Sequence, residues 1–398
     1  MEFRHRSNTA LIFGAGSLTA VPDTLGPGAV LIVTGRHFQG GAAWEALQNV
    51  LRQRDIDYQH EIVSGEPSPE VVDAVAEQAR RHGAQQVVAI GGGSVLDAGK
   101  AVAAMLRHDG SVFDYLEGVG SRTPDGNTAP LLAVPTTAGT GSETTKNAVI
   151  SRRGPQGFKK SLRHDAFVPP VAVIDPALAV GCPPEVTVAC GMDAFCQLLE
   201  SFVSTAATPI TDALARDGLA RFGRGKRLFV EQRYGADDEV DDRAELALAA
   251  YYSGLTLANA GLGTVHGLAG PLGAVCDVPH GVACGLLLEP VYRRVAQRLA
   301  EAGDTPGGQA ATDRLAYAGA VLERATGGDD GSYGTEPRAE DLQSLLANCR
   351  AWAESLPRLS SYGLSEADVA AVVAASGNKN SPVALTAAER HAAILEVL

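Results

Sequence analysis

Two histidines, one carboxylate and one side-chain amide have the donor atoms to share a metal ion. Asp193 and Gln197 are four residues apart in a predicted helix over 184–202, so both side chains lie on one face of it. His266 and His280 stand in glycine-containing stretches fourteen residues apart. Nitrogen and oxygen donors of these types suit Fe(II), Zn(II) or Mn(II). The residue types leave an alternative open, in which each is a polar side chain satisfied inside a core.

Three consecutive glycines and a serine separate a predicted buried strand from a helix. Gly91–Ser94 follows the apolar strand 86–90 and precedes the helix 94–106. Glycines allow backbone N–H groups to approach a ligand closely, and the start of a helix carries a partial positive charge. We therefore predict a pyrophosphate-binding turn at the carboxyl end of a parallel strand. A tight strand–helix turn without a ligand is the alternative.

A second polar segment follows another predicted strand. Residues 135–145, PTTAGTGSETT, come directly after the strand 131–134 and consist largely of hydroxyl-bearing and small residues. Hydroxyls at a strand end can bind phosphate, ribose or a nicotinamide amide. A solvated Ser/Thr-rich loop would have the same composition. In a parallel sheet, however, this segment would form a second wall beside Gly91–Ser94.

The elements that must position these residues change type along the chain. Up to residue 174, short apolar runs alternate with amphipathic helices such as 42–54 and 69–82, which predicts a parallel sheet covered by helices. After residue 176 the strand signals fade, and long Ala- and Leu-rich helical stretches follow. We predict an α/β dinucleotide-binding domain over 1–178 and an all-α, metal-binding domain over 179–398.

Composition excludes several classes of protein. The 398 residues carry a formal net charge of −13, so the chain lacks the basic surface needed for nucleic acid or an anionic membrane. No apolar run approaches the roughly 18 residues that cross a bilayer, and the start does not resemble a signal peptide. We expect a cytoplasmic protein. The six cysteines fit neither a zinc ribbon nor a disulfide framework, and we interpret them as reduced packing residues.

Several long motifs occur in a defined order along the chain. They are FGAGSL at 13–18, GGGSVLDAGK at 91–100, PTTAGTGSE at 135–143, DP at 175–176, GMDAFCQLLESF at 191–202 and VPHG at 278–281. In this order they resemble the iron-containing (group III) alcohol dehydrogenases. The superfamily also has glycerol, maleylacetate and dehydroquinate branches, so the resemblance indicates the fold more firmly than the substrate. It implies a dehydroquinate synthase-like architecture: a Rossmann-like domain for NAD(P), a helical domain for the metal, and catalysis in the cleft between them.

The resemblance also implies roles for individual residues. Asp193, His266 and His280 match three of the four metal ligands and form the implied catalytic centre. The implied cofactor-binding residues are Gly92, Gly93 and Ser94 of the turn, Asp97 in the following helix, Thr136, Thr137, Thr140 and Ser142 of the hydroxyl-rich loop, and Lys159, for which Lys160 is the alternative register.

Two departures from the family pattern concern the metal site. The family's Asp-x-x-x-His reads Asp193-x-x-x-Gln197 here. We retain Gln197 as the predicted fourth ligand through its carbonyl oxygen, although an amide binds Fe(II) or Zn(II) more weakly than imidazole does. The alternative is that Gln197 only satisfies buried polar groups. Many members carry another histidine near the substrate where this chain has Gly270, so a ribose hydroxyl of the cofactor or water would relay the proton.

A third departure concerns the nucleotide. NAD-preferring members often carry an aspartate at the end of the second strand, where this chain has Gly35 followed by Arg36. Loss of the acid removes repulsion against a 2′-phosphate, and an arginine can pair with that group. We therefore favour NADP(H) over NAD(H). In the alternative, Arg36 is simply solvated.

These observations predict an oxidoreductase. The predicted function is a metal-dependent, NAD(P)-linked alcohol dehydrogenase or aldehyde reductase that uses Fe2+ or Zn2+, acts on a small alcohol or aldehyde, and forms a homodimer or a larger homo-oligomer. Neither nucleic acid nor a membrane is an expected partner. Two alternatives remain open: a metal-independent reductase of the maleylacetate type, and a nucleotide-binding pseudoenzyme that lost its metal through Gln197.

Overall fold

The computed structural model describes residues 2–152, 157–303, 305–324 and 336–398, which form two compact units. The α/β unit contains Ser7–Thr137 and Gly141–Val180. The helical unit contains Ala138–Thr140, Gly181–Leu398 and the segment that ends at Arg6. The change of unit after Val180 lies close to the predicted division between 178 and 179. The helical unit also takes in two short segments from the range predicted for the first domain.

A six-stranded parallel sheet forms the centre of the α/β unit. The strands of the unit are β1 Ala10–Phe13, β2 Ala29–Gly35, β3 Tyr58–Val63, β4 Ala84–Gly91, β5 Leu131–Pro135, β6 Asn147–Arg152, β7 Phe158–Arg163 and β8 Val171–Ile174. In the parallel sheet they lie side by side in the order β3, β2, β4, β5, β8 and β1. An antiparallel pair, β6 and β7, forms a separate two-stranded sheet.

Helices cover both faces of the parallel sheet. Along β2, Val30 and Ile32 pack in the cluster that contains Trp44, whereas Leu31 and Val33 pack in the cluster that contains Val102. Alternate residues of a central strand are thus buried on opposite faces, which explains its continuous apolar run. The helices of this unit are α1 Val21–Thr24, α2 Ala42–Gln53, α3 Pro69–His82 and α4 Gly93–Met105. The fold confirms the predicted Rossmann-like sheet.

The second unit is helical in its described residues. Its main apolar cluster includes the aromatic side chains of Phe195, Phe202, Phe222 and Trp352. The helices are α5 Pro184–Phe202, α6 Pro209–Gly225, α7 Arg227–Val230, α8 Glu239–Ala260, α9 Thr264–Val275, α10 His280–Glu301, α11 Pro306–Arg324, α12 Ala339–Ala353, α13 Glu366–Ala375 and α14 Ala387–Leu395. Among the described helices of the whole chain, none combines the length and the apolar character needed to span a membrane.

Candidate metal centre and nucleotide-binding turn

Three helices of the helical unit bring a group of metal-binding side chains together. Asp193 lies in the middle of α5, His266 in the first turn of α9, and His280 at the first residue of α10. Cys284 follows His280 by one helical turn, so the two side chains share a face of α10. One ligand atom from each of these four residues lies within 4.8 Å of the others.

The separations within this group, which we call the donor cluster (Asp193, His266, His280 and Cys284), are short. His266 Nε2 lies 3.2 Å from Asp193 Oδ1 and 3.6 Å from Cys284 Sγ. His280 Nε2 lies 3.9 Å from each of the same two atoms. Asp193 is 2% exposed, His266 5% and Cys284 0%, whereas the His280 side chain retains 32% exposure. The cluster is therefore largely buried, with His280 on its accessible side.

A second carboxylate fixes the orientation of His266. Glu200 Oε2 lies 2.7 Å from His266 Nδ1, and Glu200 Oε1 accepts a hydrogen bond of 2.7 Å from the backbone amide of Val265. A neutral His266 ring with its proton on Nδ1 would donate a hydrogen bond to Glu200. The lone pair on Nε2 would then point toward Asp193 and Cys284. This carboxylate–histidine arrangement is typical of residues that support a metal ligand. Sequence analysis missed Glu200, although it lies on α5 seven residues after Asp193.

The ionisation of the cluster is strongly coupled. Burial disfavours a charged imidazole, but the Cys284 sulfur and the carboxylates of Asp193 and Glu200 raise the pKa of His266 well above its usual value. Burial likewise opposes ionisation of Cys284, but a hydrogen bond with Cys196 and the two neighbouring imidazoles lower the pKa of the Cys284 thiol well below its usual value. Anionic donors and imidazoles therefore stabilise each other at this position.

The donor cluster fits a divalent metal ion. Zinc–nitrogen bonds of about 2.0–2.1 Å and a zinc–sulfur bond of about 2.3 Å place nitrogen and sulfur about 3.5 Å apart in a tetrahedral site. The separation between His266 Nε2 and Cys284 Sγ is 3.6 Å. With neutral imidazoles, the carboxylate and the thiolate supply two negative charges, which balance a 2+ ion. Geometry and charge therefore agree.

Gln197 occupies a different local environment. Its side chain is buried, and its Oε1 accepts a hydrogen bond of 2.7 Å from the hydroxyl of Ser253 on α8. The sequence placed Gln197 on the same helix face as Asp193, but the contact with Ser253 depends on how α8 packs against α5. Its role as a ligand therefore stays a prediction.

The predicted pyrophosphate-binding turn connects β4 to α4 in the α/β unit. Gly91 is the last residue of β4, Gly92 is the N-cap residue of α4, and Gly93 and Ser94 form its first turn. A Cβ atom at Gly91 would lie 2.6 Å from Cβ of Val95, so only glycine fits there without displacement. The start of α4 is uncapped by any described side chain, and its backbone N–H groups can receive an anion.

The hydroxyl-rich loop begins beside this turn. Thr136 N donates a hydrogen bond of 3.0 Å to the carbonyl of Gly91, and a Cβ at Gly92 would lie 3.4 Å from Thr137 Oγ1. These contacts follow from the parallel pairing of β4 with β5. The structure therefore brings the two predicted walls together at Thr136 and Thr137. Thr140 belongs to the helical unit instead, where neighbouring Gly139 packs closely against Cys190 of α5.

Two of the predicted cofactor residues form internal contacts. Ser142 Oγ donates to Asp97 Oδ1 at 2.6 Å, and Asp97 Oδ2 accepts from the backbone of Val149 at 3.0 Å. The buried ammonium of Lys100 donates to the Ser142 carbonyl at 2.8 Å and to the Asn147 carbonyl at 2.7 Å. Burial lowers the pKa of Lys100 to about 8 and also raises the pKa of Asp97. Asp97 and Ser142 therefore hold the loop against α4.

The remaining predicted cofactor residues lie on two other strands. Gly35 ends β2, and Arg36 directly after it is exposed. Lys159 lies on β7 and pairs with Glu66, while its charge also acts on the Asp97 carboxyl. Lys160 is exposed. Of the two lysines considered for the cofactor-binding position, Lys159 is the one whose charge acts on Asp97, in the helix that follows the glycine turn.

Comparison with known sequences assigns the chain to a family. Residues 8–176 match the family described as "Iron-containing alcohol dehydrogenase", and residues 187–398 match "Fe-containing alcohol dehydrogenase family, C-terminal". The chain belongs to the iron-containing alcohol dehydrogenase family. This is a family of oxidoreductases that act on CH–OH groups, and its cofactors are a nicotinamide nucleotide and a divalent metal.

Individual relatives agree with this assignment. The chain is similar to long-chain-alcohol dehydrogenase 1 of Geobacillus thermodenitrificans, with 38% identity over 226 residues. These residues are 56% of this chain and 55% of the relative, so the match spans little more than half of that enzyme. It is similar over 100% of both chains to a crystal structure of 1,3-propanediol oxidoreductase, with 25% identity and a TM-score of 0.83. It also resembles sulfoacetaldehyde reductase from Bifidobacterium kashiwanohense in complex with NAD+, with 25% identity, a TM-score of 0.80, and coverage of 100% of this chain and 99% of that one.

Proposed function

We propose that this member of the iron-containing alcohol dehydrogenase family interconverts a small alcohol and its aldehyde with a bound divalent metal and NADP(H). The observation that carries the proposal is the donor cluster, in which Asp193, His266 and His280 meet in a buried site on three helices. A metal held there supplies Lewis acidity toward the substrate oxygen, and the nicotinamide cofactor carries the hydride chemistry.

The chain's own residues bind and orient the reacting groups. Asp193, His266 and His280 hold the metal, and two donors are available for a fourth position, the Gln197 amide oxygen and the Cys284 thiolate. The cofactor pyrophosphate binds at Gly92, Gly93 and Ser94, where the uncapped start of α4 supplies N–H groups.

The remaining proposed cofactor contacts come from the hydroxyl-rich segment 135–145 and from strand β7. Thr136 and Thr137 offer hydroxyls next to the glycine turn, and Thr140 and Lys159 add a hydroxyl and a positive charge. Asp97 and Ser142 keep the loop in place. Gly270 offers no proton acceptor, so the alcohol proton leaves through water.

The buried negative donors also argue for a metal rather than an anionic substrate at this position. A maleylacetate-type reductase would need positive side chains facing the substrate, whereas the cluster contains the carboxylate of Asp193 and the thiol of Cys284. The metal-dependent reaction is therefore the function that the site supports best.

The cofactor preference is proposed from the end of β2. Gly35 presents no carboxylate and Arg36 is exposed beside it, which suits a 2′-phosphate. We expect Arg36→Ala to raise KM for NADPH several-fold and to leave KM for NADH nearly unchanged. Arg52→Ala, an exposed arginine of α2, serves as the control. Equal effects of Arg36→Ala on both cofactors would contradict the preference.

Metal removal tests the reaction class. After exhaustive chelation we expect oxidation of alcohols and reduction of aldehydes to stop, and added Fe2+ or Zn2+ to restore both. The Asp193→Asn variant should stay inactive under the same reconstitution. Full turnover by protein that elemental analysis finds free of metal would refute the proposal.

The assembly and location are part of the same proposal. We propose a homodimer or a larger homo-oligomer, which light scattering on the purified protein tests directly. We also propose a cytoplasmic location.

A further inference from the structure

A sulfur atom lies within the group of donor atoms that Asp193, His266 and His280 form. Cys284 is fully buried on α10, one turn after His280. Its Sγ is 3.6 Å from Nε2 of His266 and 3.9 Å from Nε2 of His280. These two Nε2 atoms are also the imidazole nitrogens that lie nearest to Asp193 Oδ1, at 3.2 and 3.9 Å. The thiol therefore belongs to the same group of atoms and does not merely pack nearby.

The amide in the expected fourth position has a partner of its own. Ser253 donates to Gln197 Oε1 at 2.7 Å, and the same hydroxyl contacts the Ala250 carbonyl one turn back on α8 at 2.7 Å. Ser253 is fully buried and Gln197 nearly so, and the contact uses one of the two lone pairs of Oε1 and fixes the amide toward α8. Cys284, by contrast, contacts the imidazole nitrogens of His266 and His280, and it also forms a hydrogen bond with the Cys196 thiol.

We propose that the Cys284 thiolate is the fourth protein ligand of the metal, and that Gln197 is a positioning residue held by Ser253. The proposal rests on the metal-dependent function proposed above. A ligand set of one carboxylate, two imidazoles and one thiolate binds borderline and soft ions such as Zn(II) and Co(II) more strongly than Mg(II) or Mn(II). The substitution of histidine by glutamine on α5 is thus offset by a sulfur donor on α10.

A second thiol provides an internal comparison. Cys196 Sγ lies 3.8 Å from Nδ1 of His266, on the opposite edge of the ring from Cys284. It belongs to a separate group with Glu200 and His266. Because Glu200 occupies Nδ1 at 2.7 Å, we assign the metal to the Nε2 side. Cys349 is also buried in the helical unit but lies outside both groups, so it serves as a neutral control.

X-ray absorption spectroscopy of the zinc-loaded protein tests the proposal without reference to activity. We expect a sulfur shell at about 2.3 Å from zinc in the wild type. The shell should vanish in Cys284→Ser and persist in Cys196→Ser and Cys349→Ser. Cobalt loading gives a second readout, since thiolate-to-cobalt charge transfer absorbs in the near ultraviolet and should be lost in Cys284→Ser alone.

Metal affinity measured by competition with a chromophoric chelator completes the test. Loss of a residue that only supports a metal ligand weakens metal binding by about 10–100-fold. Loss of a ligand should cost at least as much, so we expect Cys284→Ser to weaken zinc binding by this factor or more. Gln197→Ala should weaken it less. Circular dichroism verifies that each variant is folded, and Cys284→Ala replaces Cys284→Ser if it is not.

Three outcomes would overturn the proposal: zinc bound to the wild type without a sulfur neighbour, a sulfur shell lost in Cys196→Ser instead, or no metal bound at all. Sulfur ligation without turnover of any alcohol or aldehyde would instead refute only the proposed reaction.

Discussion

The Glu200 carboxylate controls the donor strength of His266 although it lies on the far side of the ring from the metal position. It accepts from Nδ1 of His266 and from the amide of Val265, so it fixes both the tautomer and the ring orientation. We expect Glu200→Gln to weaken zinc binding by about 10–100-fold, because a neutral amide polarises the imidazole less. Chelator competition measures this change.

A buried glutamate elsewhere in the helical unit controls for the loss of a charge. Glu289 is buried on α10 and pairs with Arg293 and Arg350, and it lies outside the donor cluster. Glu289→Gln should reduce stability and leave zinc affinity unchanged. Equal affinities in the wild type and Glu200→Gln would show that Glu200 has no part in metal binding.

Glu143, in the loop of the α/β unit, makes stability depend on pH. Burial raises its pKa from the ordinary 4.5 to about 7, and Lys100 opposes this shift only in part. Between these two values the unfolded chain has released a proton that the folded chain retains. The stability that this group contributes is therefore complete below pH 4.5 and is lost as pH rises to about 7.

The Glu143→Gln variant isolates this effect. The unfolding free energy of the wild type should fall relative to that of the variant by about 3 kcal/mol from acidic to slightly alkaline pH. Urea unfolding of both proteins at a series of pH values measures the difference. Parallel curves would mean that the pKa of Glu143 is not raised in the folded protein.

The residues of the site were only partly accessible to sequence reasoning. Asp193, His266 and His280 could be predicted because their motifs resemble a family, and the structure does bring them together. The sequence favours a packing role for Cys284, since this residue lies in the apolar segment HGVACGLLLEP. Cys284 comes four residues after His280, so a helix places both side chains on one face. The same spacing relates Gln197 to Asp193. The contact between Ser253 and Gln197 joins α8 to α5, and no local pattern predicts it.

At the level of elements, glycines set how closely the histidine-bearing helices approach their neighbours. A Cβ at Gly281 would lie 2.0 Å from the carbonyl oxygen of Ala189 on α5, and one at Gly267 would lie 1.8 Å from the carbonyl of Gly377. Each glycine directly follows a histidine of the donor cluster. The absence of a side chain therefore allows α10 to approach α5 beside His280, and α9 to approach the backbone at Gly377 beside His266.

The Gly281→Ala variant tests this packing. We expect it to cost about 1–3 kcal/mol of unfolding free energy, because a backbone carbonyl must move, and to weaken zinc binding as His280 shifts. Gly270→Ala, within α9, is the matched control, since a Cβ there meets no atom within 4 Å. It should be neutral or stabilising by up to about 1 kcal/mol. Similar losses in both variants would contradict the packing argument.

Helices with a clear N-terminal signal were the easiest elements to predict. The predicted bounds of α3 and α5 match the structure, since each begins at a proline and carries a clear apolar face. Strand β3, by contrast, lies at the edge of the sheet and has the sequence YQHEIV, and the hairpin β6–β7 is also rich in polar residues. β3 and the two hairpin strands lack a continuous apolar run, so only their pairing reveals them.

For the whole molecule, metal binding should stabilise the helical unit. The donors lie on α5, α9 and α10, and an ion that binds only the folded state adds stability by mass action. Zinc at about 100 times its Kd should add about 2.7 kcal/mol. Hydrogen exchange of the amides in these three helices measures the gain, and Asp193→Asn provides the control. Unchanged exchange in the wild type would show that the ion does not bind across these helices.

The partial exposure of His280 has a consequence for how the ion is exchanged. Three donors of the cluster are sealed inside the helical unit, and only the His280 side chain reaches solvent, at 32% exposure. We therefore expect an ion to enter and leave past this one imidazole while the helices stay folded. On this expectation the rate of metal exchange depends on rotation of the His280 side chain and not on unfolding of the unit.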